Sequence, residues 1–134
     1  MSGNFIDSPE SKIQKLGLSL SLKNITSTSA TLVFTQDNKI GTPTGELNYG
    51  EDFTLNVQKN GSWEQAPIVL EGGYGFNSIA YIITSNKTSE REIKWGWLYG
   101  SLKPGIYRIN KTINDFRGPG NYDHHKISAQ FKIE

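Results

Sequence analysis

The chain has 134 residues, a formal net charge of +1 at neutral pH and no cysteine. This length is typical of one folded domain, which can bury enough apolar surface to be stable without covalent crosslinks. The absence of cysteine excludes disulfides, Cys-ligated metal centres and a thiol nucleophile. The balanced charge argues against a nucleic-acid-binding surface or a polybasic membrane anchor, and no apolar run is long enough to span a membrane.

The first 15 residues are polar, and we expect them to form a tether or short N-terminal extension. Ser8, Pro9 and Glu10 could start one helical turn there. A single domain is predicted to follow over residues 16–134. The first residues lack the basic and then apolar profile of a secretory signal peptide, so the cytoplasm stays open as a location.

From Leu16 onward, apolar residues recur at every second position, which is the period of a half-buried β-strand. The runs at residues 16–22 and 30–34 are separated by a polar turn, and we predict that they pair as an antiparallel hairpin. Further strands are predicted around residues 47–49, 53–57, 79–83, 93–97, 106–113 and 127–133.

The turns between these runs also favour an all-β fold. Asn60-Gly61 is a strong hairpin signal, and Trp63 begins the returning strand. Pro67 indicates that this strand lies at a sheet edge or ends early, because proline cannot donate a ladder hydrogen bond. Eight or nine short strands without intervening helices predict an antiparallel sandwich or a small barrel.

One segment is similar to a known motif. Residues 102–107, Leu-Lys-Pro-Gly-Ile-Tyr, resemble the turn of immunoglobulin-like and fibronectin-like sandwiches in which a tyrosine hydroxyl ties a corner between two strands. Leu102, Pro104, Gly105 and Tyr107 would form this structural corner. Together with residues 30–34, 95–109, 115–123 and 129–133, the segment is similar to a family of bacterial immunoglobulin-like domains, and the resemblance covers residues 16–134.

The resemblance implies an antiparallel immunoglobulin/fibronectin-like β-sandwich of about seven to nine strands. Members of the family look like extracytoplasmic modules of secreted or membrane-attached proteins of Gram-positive bacteria, with no agreed biochemical activity. We therefore expect a non-enzymatic spacer or protein-interaction domain that binds an unknown protein or cell-wall partner. The Cys…Trp…Cys pattern of antibody domains is absent, so packing alone would hold the core, with Trp95 or Trp97 at its centre.

The positions of the three tryptophans distinguish a spacer or protein-interaction domain from a carbohydrate-binding module. Trp95 and Trp97 lie two residues apart on a predicted strand, and such residues share one face of a sheet. Lys94 and Gly96 are typical of a solvent face, so we expect both rings to lie in the core. Exposed rings, including Trp63 at its hairpin end, would instead favour the alternative function, a carbohydrate-binding module.

Catalytic and metal-binding motifs are not evident. The chain contains no nucleophile elbow, zinc-protease helix, phosphate-binding loop or dinucleotide fingerprint. Asp123 and His125 could share one face of a strand, whereas His124 would point to the other. Two ligands do not make a metal site, and no motif supplies a third. We therefore predict no enzymatic activity, no metal and no cofactor.

The predicted interaction surface is a long loop between residues 114 and 123. Phe116, Arg117 and Tyr122 lie in it, and Arg and Tyr are enriched at interfaces while loops carry binding in sandwiches. The structural alternative is that Phe116 plugs the end of the sandwich and Arg117 pairs with Asp115 or Asp123.

Two further candidates complete the predicted interaction surface. Tyr74, followed by Phe76, lies in the glycine-rich segment at residues 72–75, and Trp63 follows a hairpin turn. Exposed aromatic rings in such loops are suited to contact a partner.

Overall fold

The computed structural model describes residues 10–134, so the helical turn predicted at Ser8 lies outside the described residues. Within this range ten strands form two antiparallel sheets. The chain also contains one short α-helix and one 3-10 turn there. The first sheet has the order β1-β2-β3-β8. Its strands are β1 (Lys12–Ile13), β2 (Leu18–Lys23), β3 (Ser29–Gln36) and β8 (Thr88–Lys94).

The second sheet is built around one long strand, β9, which spans Gly105–Gly118. The other strands of this sheet are β4 (Glu46–Tyr49), β5 (Thr54–Lys59), β6 (Ser62–Gln65), β7 (Tyr81–Ile83) and β10 (Asn121–Ile133), and a short helix, α1 (Gly96–Tyr99), follows β8. The strand β10 pairs with β9 along one edge, and β5 and β4 lie end to end along the other. β6 and β7 pair outward with β5 and β4, so β6 is an edge strand, as Pro67 predicts.

Alternating side chains fill the space between the sheets. In the predicted hairpin, β2 and β3 pair with Leu20 opposite Phe34, and both side chains are buried. Phe34 contacts Tyr49 of the second sheet, with ring centroids 4.7 Å apart. The two facing sheets confirm the immunoglobulin-like β-sandwich that the sequence predicts.

Residues 10–15 take part in the sandwich. β1 pairs with β2, and the Ser11 carbonyl accepts a hydrogen bond of 2.8 Å from the Leu20 amide. One residue earlier, the Glu10 carbonyl accepts a hydrogen bond of 3.0 Å from the Ser128 amide on β10. This segment therefore bridges the two sheets.

Trp95 closes one end of the core. Its ring is fully buried, its centroid lies 5.3 Å from that of Phe131, and Phe131 stacks on Tyr107 at 5.7 Å. The indole N–H of Trp95 donates a 2.9 Å hydrogen bond to the Ser27 carbonyl. The Tyr107 hydroxyl donates a 2.7 Å hydrogen bond to the Lys103 carbonyl, four residues earlier. This is the geometry of a tyrosine corner.

The expectation that Trp97 shares the core face with Trp95 is wrong. β8 ends at Lys94 and helix α1 begins at Gly96, so the two rings do not lie on one strand. Trp95 is 0% exposed, whereas Trp97 is 45% exposed. The break occurs because the amides of Trp95 and Gly96 both donate to the Thr28 carbonyl, at 2.9 and 3.2 Å. That shared acceptor ends the ladder and starts a helical turn.

A buried lysine fills an interruption in the second sheet. β4 pairs with residues 113–116 of β9 and β5 pairs with residues 107–110, so residues 50–53 lie opposite only Lys111 and Thr112. Lys111 is 3% exposed, and its Nζ donates 2.7 Å hydrogen bonds to the carbonyls of Gly50 and Asp52. The lysine thus supplies donors to two carbonyls that the interrupted ladder leaves unpaired.

Burial changes the acidity of this group. Loss of hydration disfavours the ammonium form and lowers the pKa of Lys111 to about 8, although the nearby carboxylates of Asp52 and Glu51 oppose the shift. The ammonium also lies 5.2 Å from the centre of the Tyr49 ring, within the range of a cation–π contact.

Removal of the corner hydroxyl should destabilise the domain. In Tyr107→Phe the Lys103 carbonyl loses its donor, so we expect the free energy of unfolding to fall by about 1 kcal/mol or somewhat more. Urea denaturation measures this change as a lower midpoint. Tyr122→Phe is the matched control, because Tyr122 is 46% exposed and its variant should keep the wild-type midpoint. An unchanged midpoint for Tyr107→Phe would reject the corner assignment.

Stability should rise with pH because of Lys111. Its pKa in the fold, about 8, lies below the ordinary value of 10.5, so the unfolded chain binds a proton that the folded chain releases. We expect the wild type to gain on the order of 2 kcal/mol between pH 7.5 and 9.5 relative to Lys111→Met, as measured by urea denaturation across that range. Parallel pH profiles for the two proteins would contradict this assignment.

Candidate functional site

Residues 114–123 form a hairpin rather than the predicted long loop. β9 continues to Gly118 and β10 begins at Asn121, so only Pro119 and Gly120 connect the two strands. The prediction fails because polar residues such as Asn114 lie on the outer, solvated face of the sheet. Their polarity resembles that of a loop, but their backbone groups continue the ladder.

Arg117 is engaged within the hairpin. Its guanidinium donates hydrogen bonds to Asn121 Oδ1 at 3.0 Å, Thr44 Oγ1 at 2.7 Å and Asp123 Oδ2 at 3.0 Å. The same group lies 3.7 Å from Asp115 Oδ2, which also accepts hydrogen bonds from Thr44. These contacts fasten the hairpin to the segment before β4 and leave Arg117 poorly placed to bind a partner.

Phe116 and Tyr122 lie on the outer face of the hairpin, 38% and 46% exposed. Phe116 therefore does not plug the end of the sandwich. The two ring centroids are 6.3 Å apart, and Tyr122 contacts the ring of His124 at 5.0 Å. The result is an exposed strip of rings on a flat sheet surface.

Asp123 and His125 gain no further metal ligand. Over residues 10–134, no group of three or more His, Asp or Glu side chains is arranged to hold a metal ion. Burial, followed by the positive charge of Lys15, lowers the pKa of His125.

Trp63 borders a shallow groove on the outer face of the second sheet. The Arg108 guanidinium lies over the Trp63 ring, 4.7 Å from its centre, and donates a 2.8 Å hydrogen bond to Asn56. Burial lowers the pKa of Arg108. The groove has a volume of about 410 Å³ and is lined by Glu10, Ser11, Lys12, Trp63, Arg108, Ser128 and Gln130.

A second aromatic surface combines two segments that are distant in sequence. Tyr74 and Phe76 come from the segment between β6 and β7, and Trp97 comes from α1. The ring centroids of Tyr74, Phe76 and Trp97 lie 6.0, 6.2 and 5.8 Å apart in pairs, with interplanar angles of 83°, 74° and 75°. Tyr74 is 47% exposed, so these rings form a surface cluster rather than part of the core.

A cavity of about 270 Å³ opens beside this cluster, and we call it the aromatic cleft. Its apolar wall continues into the core through Phe53, whose ring lies 5.6 Å from that of Phe76. Two carboxylates and one ammonium group lie around the opening. The lining residues are Glu51, Phe53, Phe76, Glu92, Ile93, Lys94 and Trp97.

The charged groups of the cleft are mostly acidic. Glu51 Oε1 accepts a 2.6 Å hydrogen bond from the Tyr81 hydroxyl and a 3.2 Å hydrogen bond from Asn77. The hydrogen bond from Tyr81 is the main cause that lowers the pKa of Glu51, so this carboxylate is ionised at neutral pH. Glu92 lies 3.9 Å from the ammonium of Lys94, and both side chains are mostly exposed.

The rings around the cleft are held in place. The indole N–H of Trp97 donates a 2.9 Å hydrogen bond to the Lys94 carbonyl, which fixes the ring across the opening. The segment that carries Tyr74 and Phe76 is attached to α1 by a 2.9 Å hydrogen bond from the Val69 amide to the Leu98 carbonyl. A surface that is ordered in advance loses less entropy when it binds.

Sequence reasoning identified only part of this site. It singled out Tyr74 and Phe76, but it placed Trp97 in the core and did not select Glu51 or Glu92. The useful signal was the segment between β6 and β7, because connections of this length without strands or helices are often functional.

Between residues 10 and 134, no helix has the length and hydrophobicity needed to cross a membrane. No curated protein and no solved structure is similar enough to this chain to count as a match.

A family model described as a bacterial Ig-like domain matches residues 14–132, which is most of the chain. The match agrees with the two antiparallel sheets and with the hydrogen-bonded corner at Tyr107. The chain therefore belongs to the family of bacterial Ig-like domains, as the sequence resemblance indicated.

Proposed function

We propose that the domain is a non-catalytic binding module of a larger secreted or cell-envelope protein, and that the aromatic cleft holds a segment of a partner protein. The observation that carries the proposal is Trp97, a large ring that is 45% exposed yet fixed by a hydrogen bond at the mouth of a cavity. Rigid Trp and Tyr side chains beside a pocket are the usual energetic centres of protein interfaces.

The cleft is a better candidate than the hairpin that contains Arg117. Phe116 and Tyr122 lie on a flat sheet face, whereas the cleft is concave and can bury part of a ligand. The guanidinium of Arg117 already binds Thr44, Asn121 and Asp123, so a partner would have to replace hydrogen bonds that hold the hairpin.

The chemistry of the cleft supports a non-catalytic role. Its lining includes two carboxylates, Glu51 and Glu92, and a pair of carboxyl groups is what a glycosidase uses for catalysis. A glycosidase general acid needs a raised pKa so that it stays protonated near neutral pH. The pKa of Glu51 is instead lowered by its hydrogen bond from Tyr81, so Glu51 is a fixed anion rather than a proton donor.

The location outside the cytoplasm belongs to the same proposal. It is supported by the resemblance to extracytoplasmic modules of Gram-positive bacteria. A core packed around Trp95, Phe34 and Ile109 holds the sandwich without disulfides, so its stability does not depend on the redox state of that compartment.

Peptides selected on the immobilised domain should require Trp97. We expect a random peptide library to yield binders whose affinity falls at least about tenfold on Trp97→Ala, because loss of a central aromatic residue typically costs 2 kcal/mol or more. Fluorescence polarisation measures these affinities, and circular dichroism checks that the variant is folded.

Trp63→Ala is the matched control, because it removes an aromatic ring from a different surface groove, whose lining shares no residue with the cleft. Its affinity for the selected peptides should equal that of the wild type. Selection that yields no binders, or binders that tolerate Trp97→Ala, would contradict the proposal and leave a spacer without a binding surface.

A second candidate function is carbohydrate binding at the groove beside Trp63. The observation that favours it is the combination of one aromatic ring with Arg108, Gln130 and Glu10, since protein sites for sugars pair ring faces with polar side chains. The stacked Arg108 guanidinium counts against it, because it covers one face of the ring.

A glycan panel tests this second function. If cell-wall or host oligosaccharides bind the groove, intrinsic tryptophan fluorescence should shift on titration, and Trp63→Phe should abolish the shift while Trp97→Phe keeps it. A panel without any shift would reject carbohydrate binding at this groove.

A further inference from the structure

We propose that the aromatic cleft selects a positively charged side chain, that of lysine or arginine, on the partner protein. This inference rests on the proposed function, because it names the chemistry that the cleft recognises. Three features carry it: the angles between the rings, the charge of the opening and the size of the cavity.

The ring angles disfavour a flat ligand. Among the rings that line the cleft, Phe76 is inclined to Phe53 by 59° and to Trp97 by 75°, so they form no shared platform on which a sugar ring or another flat group could stack. A cation is attracted to the negative face of each ring, and the faces of rings that are inclined to each other can converge on one point. Rings at steep angles around a pocket are therefore suited to a cation.

The charge of the opening points the same way. Among the lining residues, Glu51 and Glu92 contribute two negative charges against the single positive charge of Lys94, while Arg91 and Lys111 act on Glu51 from outside the lining. Both hydrogen bonds to Glu51 are accepted by Oε1. Among residues 10–134, Glu51 Oε2 has no hydrogen-bond donor, and it could accept one from an ammonium or guanidinium group.

The size of the cavity limits the ligand to one side chain. Its volume is about 270 Å³, below the range of about 300–1,000 Å³ that is common for small-molecule sites. The end of one lysine or arginine side chain fits this space, with its apolar stem along Phe53 and Ile93 and its charged head toward the carboxylates.

The protein already uses this arrangement next to the cleft. The guanidinium of Arg91 lies 3.5 Å from the centre of the Tyr81 ring, and the hydroxyl of Tyr81 donates to Glu51. A cation over an aromatic ring beside Glu51 is therefore a stable arrangement on this face of the sandwich.

The indole N–H signals in a ¹H–¹⁵N NMR spectrum provide a direct test on the whole domain. The capped tripeptide Gly-Lys-Gly should shift the signal of Trp97 with an affinity on the order of millimolar, and the signals of Trp95 and Trp63 should stay in place. The same peptide with norleucine in place of lysine keeps the apolar stem without the charge. It should produce no shift.

Charge variants make the test specific. The double variant Glu51→Gln with Glu92→Gln should weaken lysine-peptide binding by about tenfold, because it removes both carboxylates and keeps their shape. Glu64→Gln, on an exposed position of β6, is the matched control and should bind as the wild type does.

The other outcomes separate this inference from the proposed function. Equal shifts with the lysine and norleucine peptides would leave a binding cleft but overturn its selectivity for a cation. Tetramethylammonium that binds at least about tenfold more tightly than the lysine peptide would assign the cleft to a small quaternary ammonium ligand instead. No shift with any probe would overturn this inference, while the peptide selection would still decide the proposed function.

Discussion

The buried ammonium of Lys111 holds the second sheet together at the one place where the strand beside β9 is interrupted. Without it, the carbonyls of Gly50 and Asp52 would face the protein interior without donors, and each unpaired group would cost about 1–3 kcal/mol. The charge itself is unfavourable there, as the lowered pKa of Lys111 shows. The fold therefore accepts one buried cation in order to accommodate the interruption.

The interruption is also where the candidate site begins. Residues 50–53 leave the regular ladder, and Glu51 and Phe53 within them both line the aromatic cleft. Residues two apart in a regular strand share a face, so alternation alone would place Glu51 and Phe53 on one side. The interruption removes the strand partners of this segment, and Lys111 supplies hydrogen bonds in their place. The carboxylate and the aromatic ring of the cleft therefore lie on the segment that Lys111 stabilises.

Sequence patterns predicted the sandwich because burial between two sheets follows a period of two. Leu18, Leu20, Leu32 and Phe34 appear in the sequence as they lie in the core, so the β2–β3 hairpin could be predicted from local pattern alone. The corner at Tyr107 could be predicted for a similar reason, since it requires a short, continuous motif. Features that depend on neighbouring residues in sequence are those that a sequence reveals most reliably.

Features that depend on contacts between segments distant in sequence could not be predicted in the same way. Trp97 has the spacing of a strand residue, and only the shared Thr28 carbonyl shows that the strand ends before it. Lys111 stands at an inward-facing position between Ile109 and Ile113, which is a signal in itself. Its partners could not be inferred, because the carbonyls that it binds come from an interruption some sixty residues earlier.

Two walls of the cleft are fixed by different interactions. Lys111 fixes the peptide groups on both sides of Glu51, and the Tyr81 hydroxyl fixes the Glu51 carboxylate. The Trp97 ring is held by its own hydrogen bond to Lys94. Binding to such a surface orders few additional side chains, so even the weak attraction between a cation and aromatic rings can contribute to affinity. The buried ammonium of Lys111, although unfavourable for folding, therefore helps to hold the segment of the cleft that carries Glu51.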